Sequence, residues 1–228
     1  MWRYPVKSMA GEHLDAVDVS WHGLAGDRRW AFVRKGLERS GFPWLTLRQR
    51  SDLWSFRPSF ADRASPDRSS TLVTTPDGER FDVTDPALAA RLGHGARVIK
   101  QDRGVFDASP LSLITTQTID HIAATVGRDL EVLRFRPNFV VDAATDAPFA
   151  EDDWVGATLR VGALRMRVDR RDARCVVVNV DPQTAERDPA VLRTIARERD
   201  GYLGVYGATV EPGHVAVDDT VTLPVSSS

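Results

Sequence analysis

Arg134-Phe135-Arg136-Pro137-Asn138 and Asp172-Ala173-Arg174-Cys175 are the stretches around which this 228-residue chain is organised. Cys175 is its one cysteine, preceded by Arg174 and followed by the apolar run Val176-Val177-Val178. The first stretch adds Arg134, Arg136 and Asn138, with Pro137 between the last two. A thiol beside guanidinium groups is a candidate for a depressed pKa, and a thiolate is what binds a soft metal or attacks sulfur. The plain alternative is a small buried hydrophobe, because free cysteine is among the most buried residue types. The residues alone leave both readings open.

Composition narrows the field. A single cysteine excludes an internal disulfide, a four-cysteine zinc site and a self-contained iron–sulfur cluster. Thirty Lys and Arg against 32 Asp and Glu give a net charge of −2, so no nucleic-acid partner is expected. The length suits one large domain or two small ones sharing a core. No apolar run is long enough to span a bilayer and the start lacks a signal-peptide core, so no membrane and a cytoplasmic location are expected.

The first hundred residues read as short strands and turns. Val17, Val19 and Trp21 alternate, and residues 22–26 form a glycine-marked connection. Residues 29–33 read as a second strand, and residues 46–50 as a third. The polar residues 60–70 read as an exposed loop. Leu72-Val73-Thr74 and Arg80-Phe81-Asp82-Val83 flank the turn Pro76-Asp77-Gly78 as a hairpin. Asp85-Pro86 opens a short helix that Gly93 closes, and residues 96–100 make another strand.

The polar residues 101–104 mark the internal boundary, dividing the chain into 1–103 and 104–225. Residues 109–114 lead into a helix carrying Ile119, Ile122, Ala123 and Val126 at helical spacing, with Gly127 as its stop. Residues 134–141 read as a strand broken by a bulge or edge at Pro137. Residues 158–161 and 164–168 pair across Gly162-Ala163, and residues 175–180 read as an apolar strand. Asp188-Pro189 caps a helix to about Arg199 that Gly201 ends, and residues 202–210 and 214–223 close the sheet. The serine tail Ser226–Ser228 is the sole low-complexity segment. Many short strands with few helices define an α+β, mainly β, protein. His13, His22, His94, His121 and His214 are scattered beside turns and carry no assigned role.

Tyr4-Pro5-Val6-Lys7-Ser8-Met9, Gly26-Asp27-Arg28-Arg29-Trp30, Arg134 to Asn138, Glu151-Asp152-Asp153-Trp154, Arg174-Cys175 and Asp181-Pro182 occur in one order. That order resembles the MOSC family, relatives of the C-terminal domain of molybdenum cofactor sulfurase. With its N-terminal portion the chain looks most like the amidoxime-reducing component branch and its bacterial single-chain relatives. The resemblance runs from Tyr4 to about Leu223. It implies a MOSC β-barrel with a β-rich N-terminal portion packed against it and a cofactor in the cleft between them. Relatives usually carry a short strand ahead of Tyr4, a departure with consequences for one sheet edge.

The cofactor so implied is a molybdopterin carrying molybdenum. Holding it requires cations for a phosphate, hydrogen-bonding groups for a pterin edge and one ligand for the metal. Lys7 and Ser8 suit the phosphate. Arg29, Arg136 and Arg174 offer planar forks, and Asn138 offers both a donor and an acceptor. Cys175 would be the metal ligand and the catalytic centre. Each cation also has an ordinary reading as a surface or ion-paired side chain. Asp142 or the run Glu151-Asp152-Asp153 is a candidate for handling protons, although the run also reads as a structural acidic turn before Trp154. Relatives often carry a second cysteine just upstream of the ligand, where this chain has Asp172.

The activity implied is reduction of a small N-hydroxylated substrate, with electrons from a separate protein of ferredoxin, flavin-reductase or cytochrome type. The alternative is a carrier of the cofactor, or of sulfur as a persulfide on Cys175, without substrate turnover.

Overall fold

The computed structural model describes residues 1–223; the serine tail and the last two residues of the 104–225 unit lie outside them. The first half is a set of short antiparallel pairings. β1 (Trp2–Arg3) pairs with β2 (Glu12–His13), and β3 (Ala16–Ser20) with β4 (Gly23–Leu24). In β3 Val17 and Val19 are buried while Trp21, just past its end, is exposed, so the alternation stops at the turn. β5 (Trp30–Val33), β6 (Arg57–Phe60), β7 (Thr71–Thr74) and β8 (Arg80–Asp82) follow, with β6–β7–β8 forming one sheet. The hairpin expected around Pro76-Asp77-Gly78 is the β7–β8 pair. Helix α1 (Pro86–Leu92) starts where the Asp85 side chain accepts from the Ala87 amide, and it buries Leu88 and Leu92. β9 (Arg97–Lys100) then pairs with β5.

The second half is built on one nearly closed sheet. β10 (Leu111–Thr115) is buried at every residue and runs straight into α2 (Thr116–Val126), capped by Thr115 and stopped by Gly127 in the left-handed region. Residues 109–114 were expected only to lead into that helix. Complete burial removes the alternation by which a strand is recognised. β11 (Phe139–Val141), β12 (Thr158–Val161), β13 (Leu164–Ala173), β14 (Tyr202–Glu211) and β16 (Val221–Thr222) complete a six-stranded sheet ordered β11-β10-β14-β13-β12-β16. Between β13 and β14 lies α3 (Pro189–Arg199), with Asp188 accepting from Ala190 N and left-handed Asp200 ending it just before Gly201. α2 and α3 pack on one side of the sheet through Ile119, Ile122, Val191 and Ile195. Leu113, Phe139, Leu159, Met166 and Val205 fill the opposite side.

Two features tie the halves together. β15 (Gly213–Ala216), late in the chain, pairs with β3 in the first half. The N-terminal core of Tyr4, Leu47, Trp54 and Leu88 also takes in Val180, with Leu133 and Val177 packed against it.

Three readings around the site change. Residues 134–141 are not one strand: Val132–Phe135 is a 3₁₀ turn, Arg136 is left-handed at φ 52°, and the strand is only Phe139–Val141. Pro137 has no N–H for a ladder, and the buried Arg134 and Arg136 need partners that a regular strand would not give them. Residues 175–180 hold a 3₁₀ turn at Val176–Asn179, whose Val178 carbonyl accepts from Arg134 Nη1 at 3.1 Å. A short apolar run does not by itself distinguish strand from turn. Residues 46–50 fold as a turn closed by Gln49, whose Oε1 accepts from Thr46 N and Oγ1, both at 2.9 Å.

Candidate functional site

A cavity of about 480 Å³ lies where the two halves meet. Lys7, Ser8 and Arg28 reach it from the first half, and Arg136, Arg174 and Cys175 from the second. The backbone is shaped for it. Ser8 and Arg136 are left-handed non-glycine residues, and the β13–β14 register slips at Val168/Arg170 and again at Arg171/Ala173. Such irregularities store local strain and re-aim side chains, here next to the cavity. Gly204 in β14 has φ 72°, and a Cβ there would stand 2.8 Å from the Leu113 carbonyl and 3.2 Å from Arg174 Nη2. Glycine at this position lets Arg174 lie against the sheet.

Lys7 is buried, donates to the Val105 carbonyl at 3.0 Å and pairs with Asp107. Burial lowers its pKa despite the pull of Asp107. Burial acts against the Asp107 charge too, but Lys7 outweighs it and holds that carboxyl below its ordinary value. Arg136 donates from Nη1 to Met9 O at 2.9 Å, and its guanidinium carbon lies 4.1 Å from the Tyr4 ring centroid and 4.7 Å from that of Trp54. Its Nη2 is buried without any partner, and burial brings its pKa down to about 10. Arg174 is spent on the protein: Nε meets Leu203 O and Nη1 meets Phe135 O, both at 2.7 Å, and Nη1 lies 2.9 Å from Asp172 Oδ2. Cys175 is half-buried at the cavity wall, with Arg48 Nη2 3.4 Å from Sγ.

Two expected residues are not in the wall. Arg29 turns away, donating to Asp67 Oδ1 at 2.9 Å, and its neighbour Arg28 lines the cavity instead. Arg28 is left-handed (φ 50°) in the turn before β5, so strand alternation does not set this pair, and Arg29 is itself buried. Arg28 pairs with Asp27, donates to Arg136 O at 3.1 Å and lies 4.6 Å above the Tyr4 ring. Asn138 is buried behind the wall. Its Nδ2 donates to Asp27 Oδ2 (3.1 Å) and Trp2 O (3.2 Å), and its Oδ1 accepts from Ser112 N and Oγ (both 3.2 Å). It supports the site and has no group left for a ligand.

The acidic candidates also resolve. Asp142 is exposed and accepts from Gln117 Nε2 at 2.7 Å, away from this cavity. Glu151 is buried beneath α2, accepting from Thr115 Oγ1 (2.8 Å) and Thr118 Oγ1 (2.9 Å). Asp152 pairs with Arg171 and Arg199. The run is therefore a structural turn. Among the described residues no group of three His, Cys, Asp or Glu side chains stands close enough to hold a metal ion by itself.

Two carboxylates line the cavity: Asp107, paired with Lys7, and Asp172, which sequence reasoning noted only as a departure. Burial pushes its pKa up to about 6, more strongly than Arg174 and the Tyr206 hydroxyl pull it down. Burial and the neighbouring Asp172 raise Tyr206 in turn. The alternation of β13 was a usable signal, since Met166, Val168 and Asp172 are all buried positions.

The raised pKa carries a stability consequence with a definite sign. Protonated Asp172 is the form the fold prefers, so its contribution is whole below pH 4 and lost as pH rises to about 6. Over that window the wild type should lose about 3 kcal/mol relative to Asp172→Asn, which cannot ionise. Urea titrations of both proteins at pH 4, 5, 6 and 7 measure the difference. A difference that does not change with pH would show that Asp172 is solvated or fully paired.

The fold and site together define a class: a barrel-like sheet sharing a cation-walled, thiol-bearing cavity with a β-rich N-terminal portion. The MOSC domain description matches residues 94–222, and that of the MOSC N-terminal beta barrel domain matches residues 1–107. The chain belongs to the MOSC family. It is 28% identical over 245 residues to a molybdenum cofactor sulfurase of Drosophila grimshawi, covering 89% of this chain and 31% of that protein. The Drosophila mojavensis sulfurase is 26% identical over 246 residues, covering 89% and 30%. A shorter stretch of 83 residues, 35% of this chain and 10% of that protein, is 40% identical to the Danio rerio sulfurase. The chain thus spans about a third of the length of the Drosophila relatives. Among solved structures the YuaD protein of Bacillus subtilis superposes with a TM-score of 0.52 at 13% identity, over 95% of this chain and 88% of that one, and so shares the fold.

Proposed function

We propose that the cavity holds the molybdenum cofactor and that the chain reduces N-hydroxylated compounds with electrons from a separate protein. The observation that carries this reading is the convergence of Lys7, Arg28 and Arg136 on one cavity that also bears Cys175. Several cationic side chains around one cavity suit an anionic occupant. Lys7 and Arg28 stand in the same wall, and about 480 Å³ lies within the usual range of small-molecule sites. The printed names of the sulfurase relatives agree with the choice of cofactor.

When bound, the cofactor supplies two-electron oxygen-transfer chemistry. Cys175 would be its protein ligand, its soft sulfur being the donor suited to that metal. Arg136, Arg28 and Lys7 would neutralise the anionic end, and the Tyr4 and Trp54 rings pack close to the Arg136 guanidinium. Reduction of an amidoxime breaks one N–O bond, takes two electrons and two protons, and leaves an amidine and water. Asp172, with its pKa raised to about 6, is the cavity group suited to exchange a proton near neutral pH.

Purified protein is expected to carry molybdenum and an oxidisable pterin, and to reduce benzamidoxime from an artificial electron donor. Arg136→Ala should lower pterin content at least about tenfold, because it removes a cation and its contacts with two aromatic rings. Normal pterin in that variant, or no pterin in the wild type, would defeat the proposal.

The sulfur-carrier alternative draws on the accessible Cys175 and on the sulfurase relatives. It predicts cyanide-labile sulfur on Cys175 in metal-free protein and no turnover of benzamidoxime.

A further inference from the structure

Arg48 belongs to no motif that pointed to the site, yet it is the side chain that touches the Cys175 sulfur, with Nη2 at 3.4 Å. It is held there from several directions. Its turn is closed by Gln49 against Thr46. Arg187, from the opposite half, donates Nη2 to the Leu47 carbonyl at 2.7 Å and to that of Arg48 at 3.2 Å. The Arg48 guanidinium rests 4.8 Å above the Phe42 ring. A long side chain free in solvent would not be positioned so often; here most of its ordering entropy is already spent.

The charge placed in this way is not neutralised. Among the described residues no carboxylate forms an ion pair with Arg48. Asp107 attracts it from a distance, but that carboxylate is committed to Lys7. Arg174, the other arginine adjacent to Cys175, already shares its charge with Asp172 and donates Nε and Nη1 to two carbonyls. The exposed Arg48 is thus an available cation at the sulfur, in the wall of the same cavity.

We infer that Arg48 is a specificity-determining residue that docks a carboxylate or ionised oxygen of the molecule reacting at Cys175. In terms of the proposed reductase, on which this part rests, the preferred substrates are N-hydroxylated compounds bearing an anionic group close to the N–O bond. The recognition itself belongs to the thiol and the guanidinium, and it can be read without any turnover.

The test compares alkylation of Cys175 by iodoacetate and by iodoacetamide in the full chain produced without cofactor. Each reagent forms an Sγ–CH₂ bond, breaks the C–I bond and releases iodide. Both consume the same thiolate, so the ratio of their rates cancels any change in ionisation and reports only the preference for a carboxylate. Arg48→Gln should lower that ratio about tenfold, the scale of one directed charge contact at a partly solvated site. Arg48→Lys keeps the charge and should keep most of the preference, which guards against a trivial loss of fold. Arg170→Gln, another exposed arginine lining the cavity, should leave the ratio within about twofold. An unchanged ratio in Arg48→Gln, or an equal fall in Arg170→Gln, would overturn the inference.

A second measurement separates this inference from the reductase reading. Wild type should prefer 2-carboxybenzamidoxime, whose carboxylate lies next to the amidoxime, to benzamidoxime through KM, and Arg48→Gln should lose that preference at similar kcat. Wild type that reduces neither compound, with the alkylation ratio still dependent on Arg48, rejects the reductase and leaves anion docking supported. Turnover of both compounds without a preference rejects the docking.

Discussion

Replacing Asp27 by alanine should lower the unfolding free energy by about 3–5 kcal/mol, the range for removing one member of a buried charge pair. Asp27 has no exposed surface and is the node where the halves meet. Its Oδ1 accepts from Tyr4 N at 2.7 Å, and its Oδ2 accepts from Asn138 Nδ2 at 3.1 Å and pairs with Arg28. Alanine would leave the Tyr4 N–H and one Asn138 Nδ2–H without an acceptor and Arg28 without its carboxylate, and each loss carries its own desolvation cost. Asp27→Asn retains one acceptor oxygen and should lose roughly half as much. Urea unfolding followed by tryptophan fluorescence measures both, since Trp2, Trp30 and Trp54 lie in or against the N-terminal core. A loss below about 1 kcal/mol for alanine would mean that water replaces the carboxylate and that the node is not what joins the halves.

The second large effect belongs to chemistry rather than stability. Cys175→Ala should abolish molybdenum retention and reduce benzamidoxime turnover at least about a thousandfold, as expected when a metal loses its protein ligand. The urea midpoint should hardly change, because Cys175 is half-buried and precedes a 3₁₀ turn that Arg134 holds from the other side. Metal analysis and pterin fluorescence on the same preparation separate the ligand role from a general collapse. Retained molybdenum with retained turnover would remove Cys175 from the mechanism.

Much of this architecture was legible because local chemistry and tertiary structure agree. Asp85-Pro86 and Asp188-Pro189 cap the helices they announce, Gly127 stops α2, and Pro76-Asp77-Gly78 turns a hairpin. Failures cluster at the cavity. Phe135 to Asn138 and Cys175 to Val180 look like strands by composition, but buried arginines consume their carbonyls and impose turns. No short-range pattern reports that a guanidinium will arrive from forty residues away. The choice of Arg29 over Arg28 failed for a related reason, since nothing in a doublet of identical residues tells which one the turn before β5 aims at the cavity. Asn138 was recognised as special, but its specialness is structural. Arg48 escaped notice and Asp172 was noted only as a departure, because each becomes significant only through a partner distant in sequence or through burial.

The late return of β15 to β3 acts as a latch. Four consecutive residue pairs, from Gly213 with Val19 to Ala216 with Ala16, zip the end of the described chain to its beginning. The halves cannot swing apart like a book without first undoing that zipper and the Val180 contact with the N-terminal core. An occupant too bulky for the cavity's own opening would have to be in place before these strands pair, which makes the order of loading and closing matter.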